Sequence, residues 1–401
     1  MLLCIFMLFA GEKPAEQVSN PLKPGPYSYQ FVETFRFGAE NDDDNYYWTD
    51  GEISANFDID NRGHIFIVDG KDNRILEFDD AGKLIRQIAI EGEGPGEYKN
   101  LFHFQILADG TAIGFDFLRA TAKFNYYDTS INYKQTVLTH SGDFRFYHPS
   151  FSPNGKWIYS SGFQVEDKTG VTWYKTALFD ADRKLKLSLS QDEWASFEPD
   201  RIMDPMFWET YLAKQFHGIV SRGSAFVRFL SDNSVLLIRD GKKYELEQWD
   251  SEFTHKKRHI SKEYKPIPYS EEDSNTMVIA VKEAIFEALP NVKEVVTENV
   301  IRRAIDKADL PKVWNPILDV LPDDRGGFLV IYRRVASEGT FKADLFDHAG
   351  VCIGRTESPN KGIIDIFGVR AKFKKGNLYA MVKNEVGDNQ FVRYTSKLVK
   401  K

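Results

Sequence analysis

The chain has 401 residues, of which 42% are hydrophobic, 14% aromatic and 28% charged, and its formal net charge is −7 at pH 7. This length is ample for a large buried core, and an acidic chain without a long basic run lacks the electrostatic footprint of nucleic-acid binding. The two cysteines, Cys4 and Cys352, exclude a disulfide framework and a zinc site built on cysteine pairs. We interpret Cys352 as a small buried apolar residue.

The N-terminal segment has the pattern of a leader followed by a linker. Residues 1–11 are apolar up to Ala10 and then turn polar, as at the end of a secretory signal peptide, although the usual basic start is missing. We therefore expect either a truncated leader or a misplaced start codon. A lipid anchor at Cys4 is disfavoured, because apolar residues continue after it. Residues 12–27 contain four prolines and indicate a disordered linker. We expect a periplasmic or secreted protein, or a cytoplasmic one if the leader is not a signal.

From residue 28 to residue 401 one pattern recurs six times. A turn built on Gly or Asn is followed, 14 to 24 residues later, by an aromatic residue that often precedes Asp. Each unit contains four short segments with the alternation of β-strands, which is typical of one propeller blade. The sequence therefore predicts an all-β, six-bladed β-propeller. The turns lie at Gly63, Gly110, Gly155, Asn233, Gly326 and Gly376, and the aromatic residues are Phe78, Phe124, Phe179, Trp249, Phe346 and Tyr394.

The first blade carries the most specific motifs. It contains a D-x-x-G turn at Gly63, a V-D strand end at Asp69, N-R-I at Asn73, F-D-x-x-G at Phe78 and the closing run G-E-G-P-G-E-Y at 92–98. All five elements resemble an NHL-type repeat, and the other blades match in part. The chain resembles divergent members of the NHL-like, TolB-like and gluconolactonase-like propellers over roughly residues 30–401.

Two insertions interrupt the repeat. Successive turn residues are 47, 45, 78, 93 and 50 positions apart, so about 30 and 40 extra residues lie in the third and fourth units. The first insertion, about 191–218, is rich in large apolar residues. The second, about 270–308, has helical periodicity, a capping box at Ser270 and Asp273, and a break at Pro290, which together predict a helical hairpin.

The closure of the ring is expected to use the N-terminal strand. The segment Tyr29–Phe37 alternates like a strand but precedes the first blade, so we expect it to pair with the last one and cover its edge. The sequence leaves open whether this segment or Leu398-Val399 is outermost.

Motifs of common chemistry are missing or have a simpler interpretation. There is no G-x-S-x-G and no H-E-x-x-H motif. The glycines at 92–96 do not lead into a helix or a Lys-Ser/Thr pair, so we interpret them as a turn rather than a phosphate loop. The acidic run at 42–44 is interpreted as a solvated loop rather than a calcium site.

A polar ring is predicted where the innermost strands begin. Seven positions before each turn residue, four of six residues are hydrogen-bonding or metal-ligand types, and the residues two positions later share their strand face. Because innermost strands line the channel of a propeller, these residues would surround one mouth of it, either as a ligand site or as a wet surface without function. The first set is Asn56, His103, His148, Phe226, Asp319 and Val369, and the second is Asp58, Gln105, Ser150 and Arg228.

Resemblance adds a metal hypothesis at this ring. Gluconolactonase-like hydrolases bind a metal at such a central site through carboxylates and amides, and the peptide-amidating lyase does so through histidines. The resemblance implies one divalent ion, zinc or calcium, held by His103, His148 and Asp319. The residues of this chain match neither set fully.

Both insertions connect an outer strand to the next inner strand, so they are expected on the face where His103 and His148 lie. There they would roof a pocket or only cover the blades. We therefore expect a non-enzymatic monomer without a transmembrane span, which binds a peptide, protein or glycan at this face. A metal-dependent hydrolase or lyase at the channel mouth is one alternative. A structural subunit of an envelope complex that docks through residues 270–308 is another.

Overall fold

The structure is a computed structural model, and the predicted leader, Cys4 and the acidic run at 42–44 lie outside the residues that it describes. Described are residues 14–38, 56–70, 72–117, 122–139, 144–166, 171–193, 197–222, 225–240, 242–310, 312–332, 340–360, 363–365, 368–383 and 389–401.

The prediction of a six-bladed, all-β propeller is confirmed. Strands β1 (Glu16–Asn20) and β2 (Tyr27–Phe37) come first, and six antiparallel units follow. Blade 1 contains β3–β6, blade 2 β7–β10, blade 3 β11–β14, blade 4 β15–β18, blade 5 β19–β22 and blade 6 β25–β27, with a short hairpin β23–β24 before the last blade. The strands are β3 Phe57–Ile59, β4 Ile65–Asp69, β5 Arg74–Phe78, β6 Leu84–Gln87, β7 Leu101–Ile106, β8 Ala112–Phe117, β9 Ala122–Tyr127, β10 Tyr133–Thr139, β11 Phe144–Phe151, β12 Trp157–Val165, β13 Thr172–Asp180, β14 Leu185–Glu193, β15 Phe226–Phe229, β16 Val235–Ile238, β17 Glu245–Trp249, β18 Lys256–Lys262, β19 Asp319–Pro322, β20 Phe328–Ile331, β21 Lys342–Phe346, β22 Cys352–Glu357, β23 Ile364–Asp365, β24 Gly368–Val369, β25 Ala371–Lys374, β26 Asn377–Lys383 and β27 Asn389–Lys400.

The ring closes through the N-terminal strand, as predicted. Strand β2 pairs antiparallel with β27 from Tyr27↔Lys400 to Phe37↔Phe391, so β2 is the outermost strand of blade 6 and β27 lies inside it. At Tyr27↔Gly354 the same strand also meets β22 of blade 5. This pairing answers the question that the sequence left open, and it joins blades 5 and 6 into one eight-stranded sheet.

The expected linker contains a strand. Residues Glu16–Asn20 form β1, which adds a fifth, parallel strand to blade 4 along β18. The Asn20 side chain fixes it, because Nδ2 donates to the Gly350 carbonyl at 3.0 Å and Oδ1 accepts from the Cys352 amide at 2.7 Å. The four prolines lie outside the five paired residues, where a missing amide proton costs no ladder hydrogen bond.

The D-x-x-G turns form for a local reason. In blade 1 the carboxylate of Asp60 accepts the backbone amides of Arg62, Gly63 and His64 at 2.8–2.9 Å, and Gly63 adopts φ +103°. An acidic side chain thus accepts from three amides of the turn, of which that of Gly63 also donates to the Asp60 carbonyl at 3.2 Å, and glycine supplies the left-handed backbone. The repeated motif is therefore turn chemistry, as the sequence indicated.

Two faces of the propeller can now be distinguished. Every inner strand begins on the face that carries the outer-to-inner connections, and this face also carries the three α-helices. We call it the helix face. The opposite face carries the D-x-x-G turns and the hairpins between the third and fourth strands of the blades, and we call it the turn face.

The two insertions fold into one helical cap, which consists of α1 (Pro205–Arg222), α2 (Glu271–Ala288) and α3 (Glu298–Lys307). The predicted hairpin and the Ser270–Asp273 capping box are confirmed, whereas helix α1 was not predicted. Its aromatic side chains pack against α3, and the described members of this cluster all come from the insertions. They are Phe207, Trp208, Leu212, Ala213, Phe216, Val278, Val292, Val296, Val300, Ile301, Ala304, Ile305 and Ala308.

Among the described residues, no helix combines the length and the apolar character needed to cross a membrane. Cys352 is buried, as expected, and burial together with the nearby Asp344 carboxylate raises the pKa of its thiol to about 11.

Candidate ligand-binding site

Part of the predicted ring joins neighbouring blades. The Asp58 carboxylate of blade 1 accepts the amide of Ile106 in the inner strand of blade 2 at 2.9 Å. Gln105 of blade 2 does the same one blade further on, since its side chain donates to the carbonyl and accepts from the amide of Phe151 at 2.7 and 2.9 Å. These two residues hold inner strands together, and their hydrogen-bonding groups point at backbone rather than at a ligand.

Two ion pairs continue this pattern. Arg228 of blade 4 donates to Asp319 of blade 5 at 2.8 Å, and Asp319 also accepts the amide of Val320 at 2.7 Å. Lys372 of blade 6 lies 3.3 Å from the Asp58 carboxylate. The charges of these four side chains are therefore matched across blade boundaries.

Blade 6 shows where the sequence register was wrong. Its inner strand pairs Lys374 with Asn377, which leaves a two-residue turn with φ +50° at Lys375 and +72° at Gly376. Such a type I′ hairpin is shorter than the D-x-x-G turn of the other blades. Counting seven residues back therefore gave Val369, whereas Arg370 and Lys372 occupy the positions equivalent to Asn56 and Asp58. A Lys-Gly turn without a preceding Asp was the available signal.

His103 is held as a neutral imidazole. Asn56 Nδ2 lies 2.5 Å from His103 Nδ1, so Nδ1 accepts and the ring proton lies on Nε2, which faces Gln105 Oε1 at 3.5 Å. Burial, and secondarily the charge of Lys372, lower the pKa of His103 to about 3. Asn56 Oδ1 is buried and has no hydrogen-bond partner among the described residues.

The same local distortion occurs in blades 2 and 3. In β7 the pairing skips from Leu101 to His103, and in β11 it skips from Phe146 to His148. Each skip is a β-bulge at an aromatic–histidine pair, Phe102-His103 or Tyr147-His148, where the inner strand begins at the helix face. Bulges turn a side chain away from the regular alternation and are common beside functional sites. Two adjacent blades therefore present the same pair of side-chain types at the channel mouth.

These pairs form an aromatic shelf, which we define as Phe102, Phe117, Tyr147, His148 and Phe163. Tyr147 lies at its centre, with ring centroids 5.1 Å from Phe102, 5.3 Å from Phe117 and 5.7 Å from Phe163. The His148 ring lies 4.8 Å from that of Phe102. Phe102 is buried, Tyr147 is partly buried and His148 is exposed to solvent. The sequence prediction named the histidines but missed the aromatic residues that precede them.

His148 differs from His103 in its surroundings. Its ring has no hydrogen-bond partner among the described residues, and its contacts are the rings of Phe102 and Tyr147. Desolvation of the ring between these neighbours lowers the pKa of His148 to about 4, although part of the side chain is exposed. Both histidines are thus neutral at physiological pH, and His148 is available to a ligand as a hydrogen-bonding group rather than as a cation.

The predicted metal ligands do not fit a metal site. Among the described residues, no group of three His, Cys, Asp or Glu side chains is placed to hold one ion. Asp319 is paired with Arg228 across the boundary between blades 4 and 5, while His103 and His148 belong to blades 2 and 3. His103 Nδ1 already accepts from Asn56. The structure brings the two histidines to one region of the mouth and leaves Asp319 with another partner.

Comparison with known proteins supports the fold. Residues 51–188, about a third of the chain, match a family model described as a 6-bladed beta-propeller (DUF5128). No curated protein has a sequence that matches this chain.

Several solved structures align with most of this chain. A member of the DUF4221 family from Bacteroides vulgatus aligns with TM-score 0.50 and 11% identity, over 93% of this chain and 99% of that one. A candidate exported protein from Bacteroides fragilis aligns with TM-score 0.48 and 11% identity over 95% and 99%. Virginiamycin B lyase from Staphylococcus aureus aligns with TM-score 0.41 and 9% identity over 92% and 99%. Likeness at this level of identity concerns the fold alone. The family model and the DUF4221 structure support the assignment of this chain as a six-bladed β-propeller.

Proposed function

We propose that this protein is an extracytoplasmic binding module that holds its ligand at the channel mouth on the helix face. The observation that carries the proposal is the pair of equivalent bulges at Phe102-His103 and Tyr147-His148. A propeller blade needs no bulge to pack, and bulges that turn aromatic and imidazole groups toward one opening are typical of a functional surface. Fold alone would not support this conclusion, because propellers have many functions.

The chemistry of the mouth supports binding rather than catalysis. Asp58 and Asp319 are paired with Lys372 and Arg228, and the imidazoles are neutral. The remaining groups can donate and accept hydrogen bonds and offer ring faces, which is what orients a bound molecule. The extracytoplasmic location rests on the apolar leader at residues 1–11.

The experiment is a ligand screen by thermal shift, with libraries of short peptides and oligosaccharides. The wild-type chain is compared with the double variant Tyr147→Ala/His148→Ala and with His348→Ala, which alters an exposed histidine in a hairpin turn of blade 5 on the opposite face. We expect at least one ligand to raise the melting temperature of wild type and of His348→Ala but not of the double variant. A ligand that stabilises all three proteins equally would show that binding occurs elsewhere.

A second candidate is docking of a protein on the helical cap. Met203 and Met206 at the start of α1 are 61% and 74% exposed, and Phe197 beside them is 40% exposed. Exposed methionines adapt to varied apolar partners. Unlike the residues of the cap core, Met203 and Met206 are mostly exposed, so that their replacement is expected to cost little packing. Met203→Glu/Met206→Glu is therefore expected to abolish capture of such a partner from envelope extracts while leaving the melting temperature unchanged. Unchanged capture would contradict this candidate.

A further inference from the structure

We propose that the ligand at the aromatic shelf is a neutral carbohydrate, whose sugar ring lies on Tyr147 and His148 while its hydroxyl groups bond to the channel mouth. This inference rests on the proposed function and specifies the ligand class of the same site.

The acidic side chains at the channel mouth are already paired with basic ones. The acidic groups at the mouth are neutralised within the protein, Asp58 by Lys372 at 3.3 Å and Asp319 by Arg228 at 2.7 Å. A charged ligand would have to compete with these pairs, which are fixed across blade boundaries. Both histidines are uncharged at physiological pH. A ligand without net charge can bind without breaking these ion pairs, whereas an ion would find no unpaired opposite charge among these groups.

Hydrogen-bonding capacity is the second argument. The Tyr147 hydroxyl and the His148 ring have no hydrogen-bond partner among the described residues, and the centroids of the two rings lie 4.2 Å apart. Two neutral groups of mixed donor and acceptor character therefore remain beside one another. Hydroxyl groups, which donate and accept at once, satisfy such a set.

Shape is the third argument. A peptide side chain that anchors a complex needs a deep apolar pocket. A half-open pocket of about 180 Å³ lies between blade 5 and the β2–β27 edge of blade 6, where its lining includes Tyr29, Arg325 and Phe346. The shelf offers half-exposed ring faces instead of a hole. A sugar ring presents flat C–H surfaces that pack on aromatic faces while its rim of hydroxyl groups stays polar.

The test is isothermal titration of the full chain with the neutral probes maltopentaose, cellopentaose, xylopentaose and mannopentaose. Trigalacturonate and a neutral tripeptide serve as the acidic and the peptide probe. We expect at least one neutral sugar to bind, and its affinity to fall about tenfold or more in Tyr147→Ala and in His148→Ala. Tyr147→Phe, which keeps the ring, is expected to lose about threefold, and His348→Ala to stay within about twofold of wild type. Binding of a neutral sugar is also expected to change little between 50 and 500 mM salt. Melting temperatures of all variants show whether they are folded.

Each contrary outcome has a distinct meaning. If only the tripeptide binds, and Tyr147→Ala abolishes that binding, the carbohydrate inference is wrong and the proposed function stands. Arg145 is an exposed cation near the start of β11 and would be the nearest partner of an anionic ligand on the shelf. If trigalacturonate binds best and Arg145→Ala abolishes its binding, the ligand is anionic and the inference of a neutral ligand is wrong. If no probe binds, or if binding survives in both shelf variants, the ligand class and the location of the site are overturned together.

Discussion

The neutral state of His103 has a measurable consequence for stability. Its folded pKa is about 3, against an ordinary value of 6.5. Between these two values the unfolded chain binds a proton that the folded chain does not, so the free energy of unfolding falls as the pH is lowered from about 6.5 toward 3. From pH 7 to pH 5 the unfolded imidazole becomes almost fully protonated, and the resulting loss is about 2 kcal/mol for this one residue.

The assay is urea unfolding followed by tryptophan fluorescence at pH 7, 6 and 5. His103→Gln removes the titrating group, so its loss of stability over this range should be about 2 kcal/mol smaller than that of wild type. The control His255→Gln removes a largely exposed histidine at a turn of blade 4 and is expected to follow wild type. A difference below about 0.5 kcal/mol between His103→Gln and wild type would refute the reasoning, because it would mean that His103 is protonated in the fold.

Three further predictions concern the joints of the fold. A side chain at Gly354 would collide with the Tyr27 carbonyl, so Gly354→Ala should cost about 1–3 kcal/mol in urea unfolding by parting β2 from β22; an unchanged midpoint would contradict this closure. Trp208→Ala should cost about 3–5 kcal/mol and speed amide exchange in the cap before the blades, and uniform exchange would show that the cap is not a separate unit. Asp58→Asn keeps an oxygen that can accept the Ile106 amide of the next blade and loses only the ion pair with the half-exposed Lys372, so its melting temperature should stay near that of wild type. Asp58→Ala loses the acceptor as well and should cost about 1–3 kcal/mol of unfolding free energy; equal losses in the two variants would assign the effect to the ion pair.

Local rules explain why the architecture could be predicted. The D-x-x-G turn needs only an acidic side chain and a glycine a few residues apart, so Asp60 and Gly63 specify it without help from the rest of the chain. The capping box at Ser270 is equally local. Closure by β2 was predictable because its residues alternate like a strand but precede the first blade, and the outer edge of the last blade would otherwise stay unpaired.

The features that were missed depend on longer-range relations. Helix α1 buries its aromatic face on α3, which lies almost 100 residues later in the chain. The sequence therefore indicated an apolar insertion, but its helical spacing at Phe207, Trp208 and Tyr211 was not recognised. The register of blade 6 failed because one turn differs in length. The bulges arise from the pairing of each inner strand with its neighbour, and the residue spacing within one strand does not reveal that pairing. The recurrence of an aromatic–histidine pair at Phe102-His103 and Tyr147-His148 was the signal that sequence alone contained.

The central claim is that the bulged pairs of blades 2 and 3 form a ligand site. The most direct test is a crystal structure of the full chain with the neutral oligosaccharide that binds most tightly in the titrations. We predict a sugar ring against Tyr147 and His148 on the helix face, with a sugar hydroxyl group within hydrogen-bond distance of the Tyr147 hydroxyl or of the His148 ring. The account would be contradicted if the oligosaccharide lay on the turn face, or at any other place that leaves the channel mouth empty.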